Sequence, residues 1–163
     1  MNASLPDPAA VPLVGRGKYW QQLEIGEKVR TSRRTITETD LVNFISVTGM
    51  LEAIFIDATH AGVVAGRMVP AALSYGIIEG FIFQTLIQGV GLALLSVSIE
   101  AKAPAFVGDT IWAVVETVAV RPTSKGNRAI VDTDVTVFNQ ADTVIMTYTV
   151  RRMLAGDPLA ANL

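Results

Sequence analysis

Residues 70–88 read PAALSYGIIEGFIFQTLIQ, and the fold turns on them. Ala71, Leu73, Ile77, Ile78, Phe81, Ile82, Leu86 and Ile87 recur at helical spacing and leave few faces polar, with Pro70 placed as a first-turn residue. The spacing predicts a helix to about Gln88 whose surroundings must wrap nearly all of it. On its C-terminal side the period changes to two. Ser96–Ala103 alternates polar and apolar, and Thr110–Arg121 is rich in Val, Ile, Thr and Trp. Arg128–Asn139 sets Val131, Val135 and Val137 opposite Asp132 and Asp134, and Val144–Arg152 repeats the pattern. Short polar turns at 107–109, 124–127 and 139–142 predict that these four strands form one antiparallel meander.

On the N-terminal side, Tyr19, Trp20, Leu23 and Ile25 lead to a turn at Gly26 and a polar alternating run, Lys28–Ile36, read as the first strand. Thr37 with Asp40 three residues on has the form of a capping box, and Leu41, Phe44, Ile45 and Thr48 follow at helical spacing until Gly49, which predicts a helix over Glu38–Thr48. From Met50 to Val69 no period is sustained, so this is a long loop with a short helical turn near Ala58–Ala61; loops of that length commonly carry function. Residues 1–16, broken by three prolines and lacking a basic start, read as a loose arm and not a signal peptide. Residues 17–155 then form a single domain and 156–163 a tail.

Strand, helices, then four strands imply an α+β fold: one antiparallel five-stranded sheet wrapped around one long apolar helix, the hot dog arrangement. Such a sheet leaves edge strands open, and pairing copies edge to edge closes them, so a homodimer or a dimer of dimers is expected. The charged fraction of 17%, against about 25% in an average soluble domain, agrees with surface covered by another subunit.

Thirteen Lys and Arg against fifteen Asp and Glu give a net charge of −2 with no basic tail, which argues against nucleic-acid and anionic-membrane partners. The absence of Cys removes disulfides and thiolate chemistry, and a single histidine, His60, removes multi-histidine metal sites. No metal and no cofactor is implied. Gly80–Ile99 carries no formal charge over twenty residues, but Gln84, Gln88, Ser96 and Ser98 interrupt it and Gly89 and Gly91 divide helix from strand, so it is not a membrane span. A cytoplasmic location is the default.

Three segments carry a resemblance: GKYWQQLEIGEKVRTSRRTITETDLVNFISVTG (17–49), GRMVPAALSYG (66–76) and IEAKAPAFVGDTI (99–111). Their order and spacing resemble the MaoC-like (R)-specific enoyl-CoA hydratases and dehydratases, hot dog proteins that act on acyl thioesters of coenzyme A. The resemblance spans most of Gly17–Leu154 and implies an acyl-CoA ligand. The family's catalytic segment reads Gly-Asp-x-Asn-Pro-x-His-x-Asp, its Asp and His forming a general acid/base pair. Here the matching stretch, Gly49 to Asp57, has Met50 in place of that Asp and Phe55 in place of that His, with Glu52 for the Asn. Neither a thioether nor a phenyl ring moves protons, and a positioned acid or base supplies roughly 10²- to 10⁴-fold in rate, so the ordinary dyad is absent.

The stand-ins are His60 with Asp57, three residues apart and on one face if that piece is helical, and Glu52 in the same loop. Against these stand plainer roles: Asp57 as a cap with His60 beside the pocket, and Glu52 as a solvated loop carboxylate. The resemblance places the acyl group against Met50, Leu51, Ile54, Phe55 and Met68, and the thioester carbonyl at the open amides of Ala71, Ala72 and Ser74. Arg33, Arg34, Arg121, Lys125 and Arg128 are candidates for the phosphates of coenzyme A. Two alternatives remain beside a hydro-lyase. Glu79, mid-helix among apolar residues, could serve as the carboxylate of an acyl-CoA thioesterase, unless it pairs with an arginine or faces a subunit interface. The chain could also be a non-catalytic acyl-thioester binder, or the partner of a subunit with an intact dyad.

Overall fold

The computed structural model describes residues 13–57, 59–60 and 66–160. Along these the chain forms a 3-10 turn at Trp20–Gln22, strands β1 (Lys28–Arg30) and β2 (Arg34–Thr35), and helices α1 (Glu38–Thr48), α2 (Ala53–Ile56) and α3 (Ala71–Gln84). Strands β3 (Gly91–Ala101), β4 (Thr110–Pro122), β5 (Arg128–Phe138) and β6 (Val144–Ala155) complete it. The sheet has six antiparallel strands in the order β1-β4-β5-β6-β3, with β2 also on β4. It curls around α3, and this is the hot dog arrangement. Ile78 and Ile82 of α3 are 0% and 1% exposed, and share one core with Ile111, Val115, Val131, Val135 and Val150 of the sheet. Burying each such side chain contributes about 1.5–3 kcal/mol.

The capping box forms as the sequence predicts: Asp40 N–H donates to Thr37 Oγ1 at 3.2 Å, and Thr37 N–H donates back to Asp40 Oδ2 at 2.9 Å. Gly49 closes α1 in the left-handed region, φ +73°. The expected first strand, Lys28–Ile36, is split in two, so the sheet has one strand more than expected. The cause is Thr31, whose hydroxyl takes the Ala113 N–H at 2.9 Å, a bond that a backbone carbonyl would make in a regular ladder.

The four-strand meander is corrected. Only β4, β5 and β6 form one, while β3 lies beyond β6, paired from Gly91 opposite Leu154 to Ala101 opposite Met146. The polar turn at 107–109 does not fold β3 back onto β4. Its amides bond elsewhere, Val107 to the Arg67 carbonyl at 2.9 Å and Gly108 to the Ile36 carbonyl at 2.8 Å, so the turn anchors a crossing connection.

Helix α3 ends at Gln84, short of Gln88, because Thr85 turns its hydroxyl onto the Phe81 carbonyl at 2.7 Å and the next amides crowd onto Ile82. Pro70 stands at the N-cap position, one residue ahead of the first turn. The helix is also barer than its sequence implies: Ala72, Gly76 and Phe83 are exposed, because the sheet of one chain covers only the opposite side. The helical turn in the loop falls at Ala53–Ile56, and Ala58 and Ala61 lie outside the described residues. No helix among the described residues is long and apolar enough to cross a membrane.

Candidate functional site

The start of α3 is pinned from two sides. Val69 N–H donates to the Ala105 carbonyl at 2.9 Å, and Met68 bridges to Phe106 in antiparallel fashion. Leu73 N–H closes on the Pro70 carbonyl at 2.9 Å, while the amides of Ala71 and Ala72 find no acceptor among the described residues. Such orphan amides carry the positive end of the helix dipole and are the groups a ligand oxygen can occupy.

Beside them lies a cavity of about 370 Å³, walled by Phe55, Met68, Ala71, Ser74, Lys102 and Met146 among others. Its wall is oily apart from three features: the helix N-terminus, Ser74 and Lys102, which is paired with Glu100. No carboxylate or imidazole among the described residues lines it. The arrangement can therefore hold an apolar group and polarise a carbonyl oxygen, while the one titratable side chain on the wall among the described residues is Lys102, already paired with Glu100.

Of the residues singled out from sequence, Phe55, Met68, Ala71 and Ser74 come together on this wall. Ala72 is exposed on the first turn of α3. Met50 is 40% exposed and does not line the cavity, nor do Leu51 and Ile54. Glu52 caps α2, its carboxylate accepting the Ile54 N–H at 2.9 Å. Asp57 accepts from the Thr59 hydroxyl at 2.7 Å and amide at 2.8 Å, and these bonds, with some help from His60, hold its carboxyl below the usual range. His60 is exposed and its amide donates to the Asp57 carbonyl at 3.2 Å; no side-chain bond joins the two among the described residues.

Glu79 is 7% exposed and is fully engaged: Tyr148 Oη donates to one carboxylate oxygen at 2.8 Å and Arg152 Nη2 donates to the other. Burial and the Glu79 charge push the Tyr148 phenol far above its usual range. The pair borders a second cavity of about 340 Å³ against β3, with Tyr75 and Phe83. A carboxylate held on both oxygens is a poor nucleophile or base, which counts against the thioesterase alternative.

The basic candidates do not converge on the first cavity. Arg34 pairs with Asp40, Arg121 with Asp132, and Arg128 donates to the Lys125 carbonyl at 3.2 Å. Arg33 lies over the Trp112 ring, 5.7 Å from its centroid. Sequence reasoning missed two positioning arginines. Arg67 ties α1 to α2, donating to the Glu38 carboxylate and to the Phe55 backbone carbonyl; Arg152 neutralises Glu79. Neither had a local signal, since each partner lies in another element.

The family model described as FAS1-like, dehydratase domain region matches residues 24–148. No curated protein matches the chain. Among solved structures, the MaoC-like dehydratase from Rhodospirillum rubrum superposes with a TM-score of 0.78 at 16% identity, over 87% of this chain and 99% of that one. The (R)-hydratase PhaJ1 from Pseudomonas aeruginosa gives 0.71 at 25% identity, over 85% of this chain and 86% of that one. A Mycobacterium tuberculosis protein with a double hotdog fold gives 0.74 at 16% identity, over 87% of this chain and only 45% of that one.

Proposed function

We propose a function from one premise: the chain belongs to the family of FAS1-like dehydratase domain regions, and so to the MaoC-like hot dog dehydratases and hydratases. Its ligand is an acyl thioester of coenzyme A, with the acyl group in the cavity between Phe55, Met68 and Met146 and the carbonyl oxygen at the open amides of Ala71 and Ala72. By the sequence resemblance Met50 and Phe55 stand where the ordinary acid/base pair would be, and of the two Phe55 reaches the cavity. The observation that carries this reading is the coincidence, in one cavity, of an apolar wall, a free helix N-terminus and no carboxylate or imidazole among the described lining residues.

Retention of the thioester is thus favoured over proton transfer to it. Any hydration the chain performs falls to His60 with Asp57, or to Glu52, titratable groups of the segment that follows α1 which stand outside the cavity wall. The active assembly is a homodimer or a dimer of dimers, supported by the free edge of β3, where Leu92, Leu94, Leu95, Val97 and Ile99 are all exposed.

The test pairs two measurements on purified protein: calorimetric binding of butyryl-CoA, and the ultraviolet absorbance of crotonyl-CoA over time. Binding with hydration far below that of a hydratase bearing both Asp and His is expected, and His60→Ala or Glu52→Ala should abolish whatever turnover is seen. Full hydratase turnover that survives both substitutions would contradict the site; absence of binding would contradict the ligand class.

A further inference from the structure

Ser74 is 1% exposed, and its hydroxyl oxygen is buried without a hydrogen-bond partner among the described residues, although the residue lines the cavity at the head of α3. A serine inside a helix ordinarily satisfies itself on the carbonyl four residues back. Here that carbonyl, Pro70's, takes the Leu73 amide instead. Leaving a buried hydroxyl unmatched is destabilising, so such a group in a folded protein calls for an explanation, a functional role among them. The side chains of Phe55, Met68 and Met146 on the same wall offer it no oxygen or nitrogen acceptor.

Side chains of a helix lean toward its N-terminus, so Ser74 leans over the turn whose amides, Ala71 and Ala72, are also unmatched. We propose that the Ser74 hydroxyl is a ligand-positioning group that donates to the same thioester carbonyl oxygen as these amides, completing a three-donor cradle at the positive end of α3. This rests on the acyl-thioester reading above. Three donors of one kind around one oxygen make a site for a carbonyl that gains negative charge, and the oily surroundings strengthen each bond.

The experiment compares butyryl-CoA with S-butyl-CoA, the thioether in which a methylene replaces the carbonyl, by calorimetric titration of the full chain. The wild-type protein is expected to prefer butyryl-CoA. In Ser74→Ala the ratio of the two affinities should fall about fivefold, with S-butyl-CoA binding unchanged. Ser74→Cys, which keeps the volume but donates weakly, should lose the preference to a similar extent, whereas Ser74→Thr should keep most of it. Because the hydroxyl has no partner among the described residues, the unfolding temperature of ligand-free Ser74→Ala should be unchanged or raised.

Equal wild-type binding of the two ligands, or an equal loss of both in Ser74→Ala and Ser74→Cys, would overturn the inference while leaving the acyl-thioester reading intact. So would a clear drop in the unfolding temperature of Ser74→Ala, which would mark a structural role. Failure of the wild-type protein to bind either ligand would remove the reading and the inference with it.

Discussion

Removing one half of the Glu79–Arg152 pair leaves the other half charged in a wall that is 5–7% exposed. Arg152→Leu is therefore expected to cost about 3–5 kcal/mol in urea unfolding, whereas the double replacement Glu79→Leu with Arg152→Leu should recover most of that loss. A small cost for Arg152→Leu alone would show that water reaches the carboxylate. Asp132 gives a pH-dependent prediction. Arg151 and Arg121 donate to it and hold its carboxyl down at about 2, below the ordinary 3.8. A carboxyl depressed on folding stabilises above its unfolded pKa and loses that contribution as pH falls through the folded one. Asp132→Asn should thus lower stability at pH 6 by about 1 kcal/mol or less, given how exposed the arginines are, and the difference should vanish near pH 2. At this scale the sequence was half legible. An isolated glutamate among Ile77, Ile78 and Phe81 announces a buried carboxylate, but its arginine is 73 residues away and no spacing rule connects them.

Elements with a local cause could be read directly. Helix α1 has the boundaries its Thr37 box and Gly49 imply, since capping depends on neighbours three residues apart. Thr37→Ala should cost about 0.5–2 kcal/mol, seen as a lower midpoint in urea with unchanged slope. Pairings with no local cause were misread. The turn at 107–109 has hairpin chemistry, yet its amides are taken by Arg67 and Ile36, and β3 finds β6 instead. The same limit applies to the site. Phe55, Met68, Ala71, Ser74 and the wall from Ala101 to Ala105 lie in stretches that the family pattern marks, whereas Ile145 and Met146 join the wall only because β3 and β6 are paired.

One face of α3 and both faces of β3 remain open in a single chain, an apolar expanse that a solitary protein rarely keeps. Sedimentation velocity should show a dimer or larger, and Leu95→Lys with Val97→Lys should shift it toward monomer without loss of the antiparallel sheet signal in circular dichroism. A wild-type monomer at micromolar concentration would contradict the expectation drawn from β3. Bound acyl-CoA should also raise the unfolding temperature in a concentration-dependent way, because it binds the folded chain alone.

The most direct test of the whole account is a crystal structure of the protein soaked with butyryl-CoA. The account predicts the butyryl chain between Phe55 and Met68, with its carbonyl oxygen within hydrogen-bond distance of the Ala71 or Ala72 amide. A thioester seated instead at Glu79 and Arg152, or a cavity at the head of α3 left empty while ligand is bound elsewhere, would contradict it.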